Sequence, residues 1–460
     1  MRKLMYGTAA ALALAVAEGA SPAAAQAGTE ASAGQGTPTP GLTARFNGRY
    51  RFFVGFVDES PDTAFDAGTG AKEQGANGFD MIDYARLFPG FDGVAANGLR
   101  YGASLEIRMR SGGEPPGDGR SGLFYRRAWG YLGTPNLGQI RVGSGPTGAV
   151  ETMHVGHIAG FGSGGWDGDA PSFLIGANTA NAFWYASSGR NNYTKIGYYS
   201  PQFFGFDLGV SYGPNDGEFG GDGACSFANF AGAAPQNCDR VDQSIDSRAL
   251  VRAQDIFEAM LRYRGTFGPL GVAISGGYVG SGRVDNLSPT VGAVQAQGLS
   301  VGLGGATVSW AGFTVGGIIS GGRANLGSQG FTGNDATATS LAGFSAGSLT
   351  PRFDVPGGDN TNLFTWSLGA TYTAGPYVFG GHYFNQDSAG HQAANTGKRE
   401  SEGIALGITW NMAPGLALFL EYLWGEVKEA NVDLVSGAAG SGANNKVDAQ
   451  IVSLGFSFQW

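Results

Sequence analysis

The chain closes on Val452-Ser-Leu-Gly-Phe-Ser-Phe-Gln-Trp460, where Val452, Leu454, Phe456, Phe458 and Trp460 place a large apolar group at every second position. Alternation of period two predicts a β-strand with one greasy face and one small or polar face. Such a strand at the end of a soluble sheet would show three aromatics to water or leave an open edge. A closed barrel in a membrane avoids both.

The same pattern recurs upstream. Leu42, Ala44, Phe46, Gly48, Tyr50, Phe52 and Val54 alternate with Thr43, Arg45, Asn47, Arg49 and Arg51. Residues 99–110, 257–264 and 364–373 alternate likewise, each near the length of roughly ten residues that a tilted strand needs to cross a bilayer. Short turns are expected at 93–98, 133–138, 200–205, 267–271, 310–313, 374–377 and 413–416. Between them lie long polar, Gly-rich segments, for example 58–78, 213–250, 321–361 and 425–447. Short turns on one side and long loops on the other predict an all-β, transmembrane antiparallel barrel of about 16 strands.

Composition agrees with that architecture. Glycine supplies 82 of 460 residues, aromatics 12% and charged residues only 14%, whereas soluble domains carry about one quarter charged residues. Thirty Phe, 17 Tyr and 8 Trp exclude a Gly-rich disordered chain, and a net charge of −9 speaks against a nucleic-acid partner. Residues 1–27 read as a signal peptide: Arg2 and Lys3, an apolar run from Ala9 to Ala17, then Ala25-Gln-Ala27 before the cut. Residues 28–40 form a flexible leader and 41–460 a single barrel domain. Cys225 and Cys238 sit in one Gly/Asn/Asp-rich stretch, and in an exported protein they read as one loop-closing disulfide.

One connection differs from the rest. After Gln139-Ile-Arg-Val-Gly143, about 50 residues precede the next strand, and Val150, Met153, Val155, Ile158, Phe161, Trp166, Phe173, Leu174 and Ile175 make them too apolar to float in water. This third loop should fold into the lumen, narrowing a hole that a barrel of this size would otherwise leave open. It would set Glu151, Asp167 and Asp169 against wall arginines, for which Arg45, Arg49, Arg51, Arg100 and Arg141 are the candidates. Opposed charges across a narrow passage make a transverse field that favours polar solutes and tunes ion preference. The alternative for these groups is plain structural pairing, for example with Glu106. The three acids could also help hold calcium, although their spacing is too common to assign a metal. His154 and His157 lack a neighbouring Glu and a helix, so no metal site or other cofactor is expected.

Several strands and hairpins carry a resemblance: the opening strand from Leu42 to Val54, Gly98-Leu-Arg-Tyr-Gly-Ala-Ser-Leu-Glu-Ile-Arg108, the hairpin Arg126-Arg-Ala-Trp-Gly-Tyr-Leu-Gly133 to Gly138-Gln-Ile-Arg-Val-Gly143, and Tyr199-Ser-Pro-Gln-Phe-Phe-Gly-Phe206. With the signal peptide and the aromatic C-terminus, the chain resembles the general porins of Gram-negative bacteria. That resemblance implies a homotrimer of 16-stranded barrels in the outer membrane, in contact with outer-membrane lipid and lipopolysaccharide and passing small hydrophilic solutes passively. It matches Arg141 to a wall arginine before the inward loop, and it makes Phe456, Phe458 and Trp460 a signal for the barrel assembly machinery. The common Pro-Glu-Phe-Gly-type loop motif is absent, and Gly162-Ser-Gly-Gly-Trp166 stands near its place.

Three other classes compete, one of them a structural or adhesive barrel, in which residues 145–181 would project outward. A barrel enzyme needs a base and a nucleophile, but the histidines are His154, His157, His382 and His391, and no Ser in a recognisable nucleophile context accompanies them. A substrate-selective channel for a sugar or an anion would use lumenal aromatics such as Phe53, Trp129 and Tyr131.

Overall fold

The computed structural model describes residues 41–60, 78–110, 123–174, 193–215, 254–282, 284–288, 292–296, 299–323, 362–389, 398–431, 434 and 444–460. The signal peptide, the leader, Ile175, His391, Cys225 and Cys238 lie outside them.

The first strands are β1 (Gly41–Ser60), β2 (Phe79–Val94), β3 (Arg100–Arg110), β4 (Leu123–Thr134), β5 (Gly138–Ser144) and β6 (Thr194–Tyr199). Next come β7 (Phe206–Asn215), β8 (Gln254–Phe267), β9 (Leu270–Gly282), β10 (Val284–Ser288), β11 (Gly292–Ala296) and β12 (Ser300–Trp310). The chain finishes with β13 (Phe313–Arg323), β14 (Asn362–Ala374), β15 (Tyr377–Ala389), β16 (Lys398–Ala413), β17 (Leu416–Lys428) and β18 (Lys446–Gln459). Sixteen of them close one antiparallel barrel, with β9 pairing β12. Strands β10 and β11 pair only with each other, a separate hairpin that the alternation pattern did not foretell.

All seven expected short turns are present, and each carries a glycine at positive φ: Gly98, Gly138, Gly205, Gly268, Gly312, Gly375 and Gly415. At Gly415 the requirement is double, because a Cβ there would also overlap the Gln459 carbonyl. Strand β18 closes the barrel on β1, with Phe52 opposite Phe456 and Tyr50 opposite Phe458. Trp460 exchanges backbone hydrogen bonds with Gly48, and its indole covers that glycine.

The molecule is inside out relative to a soluble protein. Leu42, Phe46, Leu261, Leu368, Leu406 and Leu454 face outward and exposed, while Ser453, Ser457, Thr365, Ser367 and Glu421 are buried on the lumenal face. Near the short turns, aromatic pairs ring the outer surface: Phe313 stacks on Tyr372 with centroids 4.3 Å apart, and Tyr377 on Trp410 at 6.0 Å. Such girdles suit the membrane interface, where the hydrocarbon band ends. Backbone groups within the band are satisfied by the ladder, which is what hydrocarbon surroundings demand.

Candidate functional site

The connection from β5 to β6 turns inward, as its apolar content requires, but it does not cross the lumen as a free bar. It runs around the wall and touches successive strands in order. Tyr199 of β6 donates from its hydroxyl to the Thr147 carbonyl at 2.8 Å. A short helix, α1 (Ala149–Met153), then sits against β7 and β8. There the Ala149 N–H donates to Ser211 Oγ at 3.0 Å and the Val150 N–H to Glu258 Oε2 at 2.9 Å.

The loop continues past β9, where the Val155 N–H meets Ser275 Oγ at 3.0 Å. On β15, His382 Nδ1 lies 2.7 Å from the Ile158 carbonyl, and on β16 Thr409 Oγ1 accepts from the Gly162 N–H at 2.9 Å. Glu421 of β17 gathers three donors: Ser163 Oγ at 2.6 Å, the Gly165 N–H at 2.7 Å and the Ser163 N–H at 3.2 Å. The Trp166 indole N–H reaches the Ile404 and Trp424 carbonyls, both at 3.1 Å.

Wall glycines make this path possible. A Cβ on Gly305, Gly316, Gly369, Gly380 or Gly407 would collide with Val155, Gly156, Ile158 or Phe161 of the loop. On β1, Gly55 makes room for the Phe173 ring in the same way. The bare backbone is therefore a groove along the lumenal face, and the loop lies in it. Its apolar side chains fill two patches. Met153, Val150 and Ala149 pack with Tyr199, Ile256 and Met260. Farther on, Phe161, Trp166, Phe173 and Leu174 pack with Phe53, Phe384, Phe419 and Ile451.

The loop tip ends on β1 and β2. Asp169 accepts from Arg51 Nη1 at 2.5 Å, from the Tyr84 hydroxyl at 2.6 Å and from Arg86 Nη2 at 3.2 Å. Burial alone would raise the pKa of this carboxyl. Arg51, Arg86 and Arg49, with the Tyr84 hydroxyl, outweigh burial and hold it well below the usual carboxylate range. In the middle of the loop, burial, with His157 beside it, pushes the His154 imidazole down to about 3. His154 is neutral at physiological pH.

The candidates from the sequence separate into groups. Arg51 and Asp169 touch instead of facing each other across water, and Arg49 joins them by donating from Nη2 to the Tyr84 hydroxyl at 3.0 Å. Glu151 pairs with Arg127 Nη2 at 3.2 Å, and Asp167 lies 3.6 Å from His157 Nε2. Arg45 pairs with Asp92 at 2.6 Å, below the loop tip towards the short turns. Arg100 stands opposite Gly133 at the turn end of β3. Arg141 is buried: it donates to the Pro146 carbonyl at 2.9 Å and to Gln139 at 2.7 Å, and its guanidinium covers the rings of Trp129 and Tyr199. Among the described residues no group of three or more His, Cys, Asp or Glu is arranged to hold a metal ion.

Sequence reading passed over Arg86, Arg126, Arg127, Tyr84, Glu258 and Glu421. For Arg126 and Arg127 a signal existed: two consecutive arginines inside a strand break strict alternation, and one of them has to leave the register. For Glu421, a carboxylate between Leu420 and Tyr422 in an alternating strand already demanded a lumenal partner.

Solved structures similar to this chain include an anion-selective porin from Comamonas acidovorans, at 15% identity and a TM-score of 0.49, covering 91% of this chain and 100% of that one. The outer-membrane protein OmpT of Vibrio cholerae is similar at 15% identity and a TM-score of 0.49, over 92% of this chain and 99% of the other. A mutant of the Rh. blastica porin matches at 15% identity and a TM-score of 0.45, over 91% and 100%. No curated protein matches the chain. The Gram-negative porin family matches residues 8–430, and with that span and a closed sixteen-stranded barrel, the chain belongs to that family and is a porin of the outer membrane.

Proposed function

We propose that this porin is a passive diffusion channel for small hydrophilic solutes with a preference for anions. The observation that carries the preference is the asymmetry of the lumen. The inward loop follows the wall from β6 round to β18 and sets its tip on β1 and β2, and the arc from β1 to β5 holds Arg45, Arg49, Arg51, Arg86, Arg108, Arg126, Arg127 and Arg141. Among the described residues, the ion pairs of these side chains run to Asp92, Glu106, Glu151 and Asp169. A basic arc beside a water-filled passage raises the local anion concentration and disfavours cations.

A slide for a particular sugar is the second reading, and the aromatics weigh against it. Phe53 is 1% exposed beneath the loop, between Tyr84 and Phe419. Trp129 is occupied by Arg141, and the Tyr131 hydroxyl by Asp92. We further propose a homotrimer, export by a cleaved signal peptide, delivery by the barrel assembly machinery through the Phe456, Phe458 and Trp460 face, contact with lipopolysaccharide, and no enzymatic activity. The reversal potential of single channels in a potassium chloride gradient tests the preference. Anion-favouring potentials are expected, cation-favouring ones refute the basic arc as filter, and saturation by one sugar favours the selective reading.

A further inference from the structure

Strands β3 and β4 do not pair residue for residue. Glu106 faces Arg127 and Ile107 faces Tyr125, so Arg126 is an extra residue in β4. A bulge of this kind re-aims a side chain, and here Arg126 turns to the lumenal side next to Arg127, where strict alternation would have sent it to lipid.

Three guanidiniums consequently converge on one carboxylate. Glu106 receives Arg108 Nε at 2.6 Å, Arg127 Nε at 3.5 Å and Arg126 Nη1 at 3.7 Å. Arg127 also reaches Glu151 of the loop, and Arg86 stands directly opposite Arg108 on β2. The three arginines bring about fifteen N–H donors, while two carboxylates accept about eight hydrogen bonds. Charge is unbalanced in the same sense, with three cations against two anions among the described residues. The less buried members are Arg108 and Arg126, whose side chains are 22% and 12% exposed, against 5% for Arg127.

We propose that Arg108, Arg126 and Arg127 form a binding subsite for a small divalent oxyanion of the phosphate or sulfate class. The oxyanion sits on the donors of Arg108 and Arg126 that Glu106 leaves unused. A general preference for anions needs only positive charge, but a bulge that sets one planar fork beside another suits a ligand with several acceptor oxygens. Halides lack that geometry. The subsite rests on the channel reading, because the cluster lines the same basic arc.

Isothermal titration of the full chain, folded in detergent micelles, with inorganic phosphate at constant ionic strength tests the proposal, with sulfate and chloride as parallel titrants. One saturable site per chain for phosphate and sulfate, and none for chloride, is the expected result. Arg126→Gln should weaken phosphate about tenfold or more, the loss of a charge-assisted contact. Arg126→Lys keeps the charge without the fork and should weaken it several-fold. Heat-shifted gel migration reports whether each variant has folded, and if the Gln variant does not fold, the Lys variant carries the test. Absence of phosphate binding to the unaltered chain, or full affinity in the folded variants, overturns the subsite. Conductance is measured separately, so a conducting chain that binds no phosphate loses the subsite and keeps the channel.

Discussion

Asp169→Asn is the sharpest probe of how the inward loop is held. The carboxylate accepts two arginines and a tyrosine hydroxyl, and the Asp169, Arg51 and Arg86 side chains are 15%, 12% and 9% exposed. Removing one partner from a buried ionic pair costs about 3–5 kcal/mol. The amide keeps one acceptor oxygen and the site is partly screened, so about 3 kcal/mol is the reasonable figure, roughly a 150-fold shift of the latch towards release. The wall ladders do not depend on this contact, so the barrel should melt as before while the tip moves. Single-channel recordings at neutral pH should then show added flicker and sub-levels, with unchanged heat-shifted gel migration. Mild acid should leave Asp169 ionised and its contacts in place, so protonation of this carboxylate adds no noise there. A carboxyl whose folded pKa is depressed contributes its full stabilisation above about pH 4 and loses it only as pH falls through the lower folded value. A variant channel as quiet as the parent would refute the latch.

Three further outcomes follow from the loop's bed. Gly380→Leu should collide with Phe161 and lift the loop from β15, changing the size cut-off in liposome swelling, and an unaltered cut-off would mean the groove does not seat the loop. Arg141→Ala removes the Pro146 hydrogen bond and the stacking on Trp129 and Tyr199, so it should loosen the start of the loop by about 1–3 kcal/mol and move selectivity towards cations. Unchanged noise and selectivity would count against both roles. His154 is buried neutral with its pKa near 3, so its contribution is complete above the unfolded value of about 6.5 and declines as pH falls below that. At pH 5 the loss reaches about 2 kcal/mol, and His154→Gln should flatten the increase in channel noise between pH 7 and pH 5.

Much of the barrel was legible because its rule is local. Alternation needs only neighbours in sequence, and each short turn is marked by a glycine that the backbone requires, so strand count and the inward third loop could both be read. Hairpin β10–β11 escaped because its strands are five residues each, too short for alternation to stand out. The partners of the charged residues were less readable. Asp169 meets Arg51 across 118 positions and Ser163 meets Glu421 across 258, and nothing local encodes which acid finds which base. Glycine in the wall lets strands tilt and curve, a use that composition alone suggests. Its second use, leaving space for another segment, depends on a loop whose course appears only in three dimensions.

The circular course of that loop has a consequence for the order of assembly. It leaves the wall at β5, but its far end rests on β17, β18, β1 and β2, where the first and last strands of the chain meet. Before β18 has joined β1, that landing place does not exist as one surface. Seating of Asp169 and Phe173 must therefore come after the seam has closed, and the seated tip clasps the seam from within. A barrel stalled with the seam open would have an unseated loop, and the passage would acquire its final width only when the wall was complete.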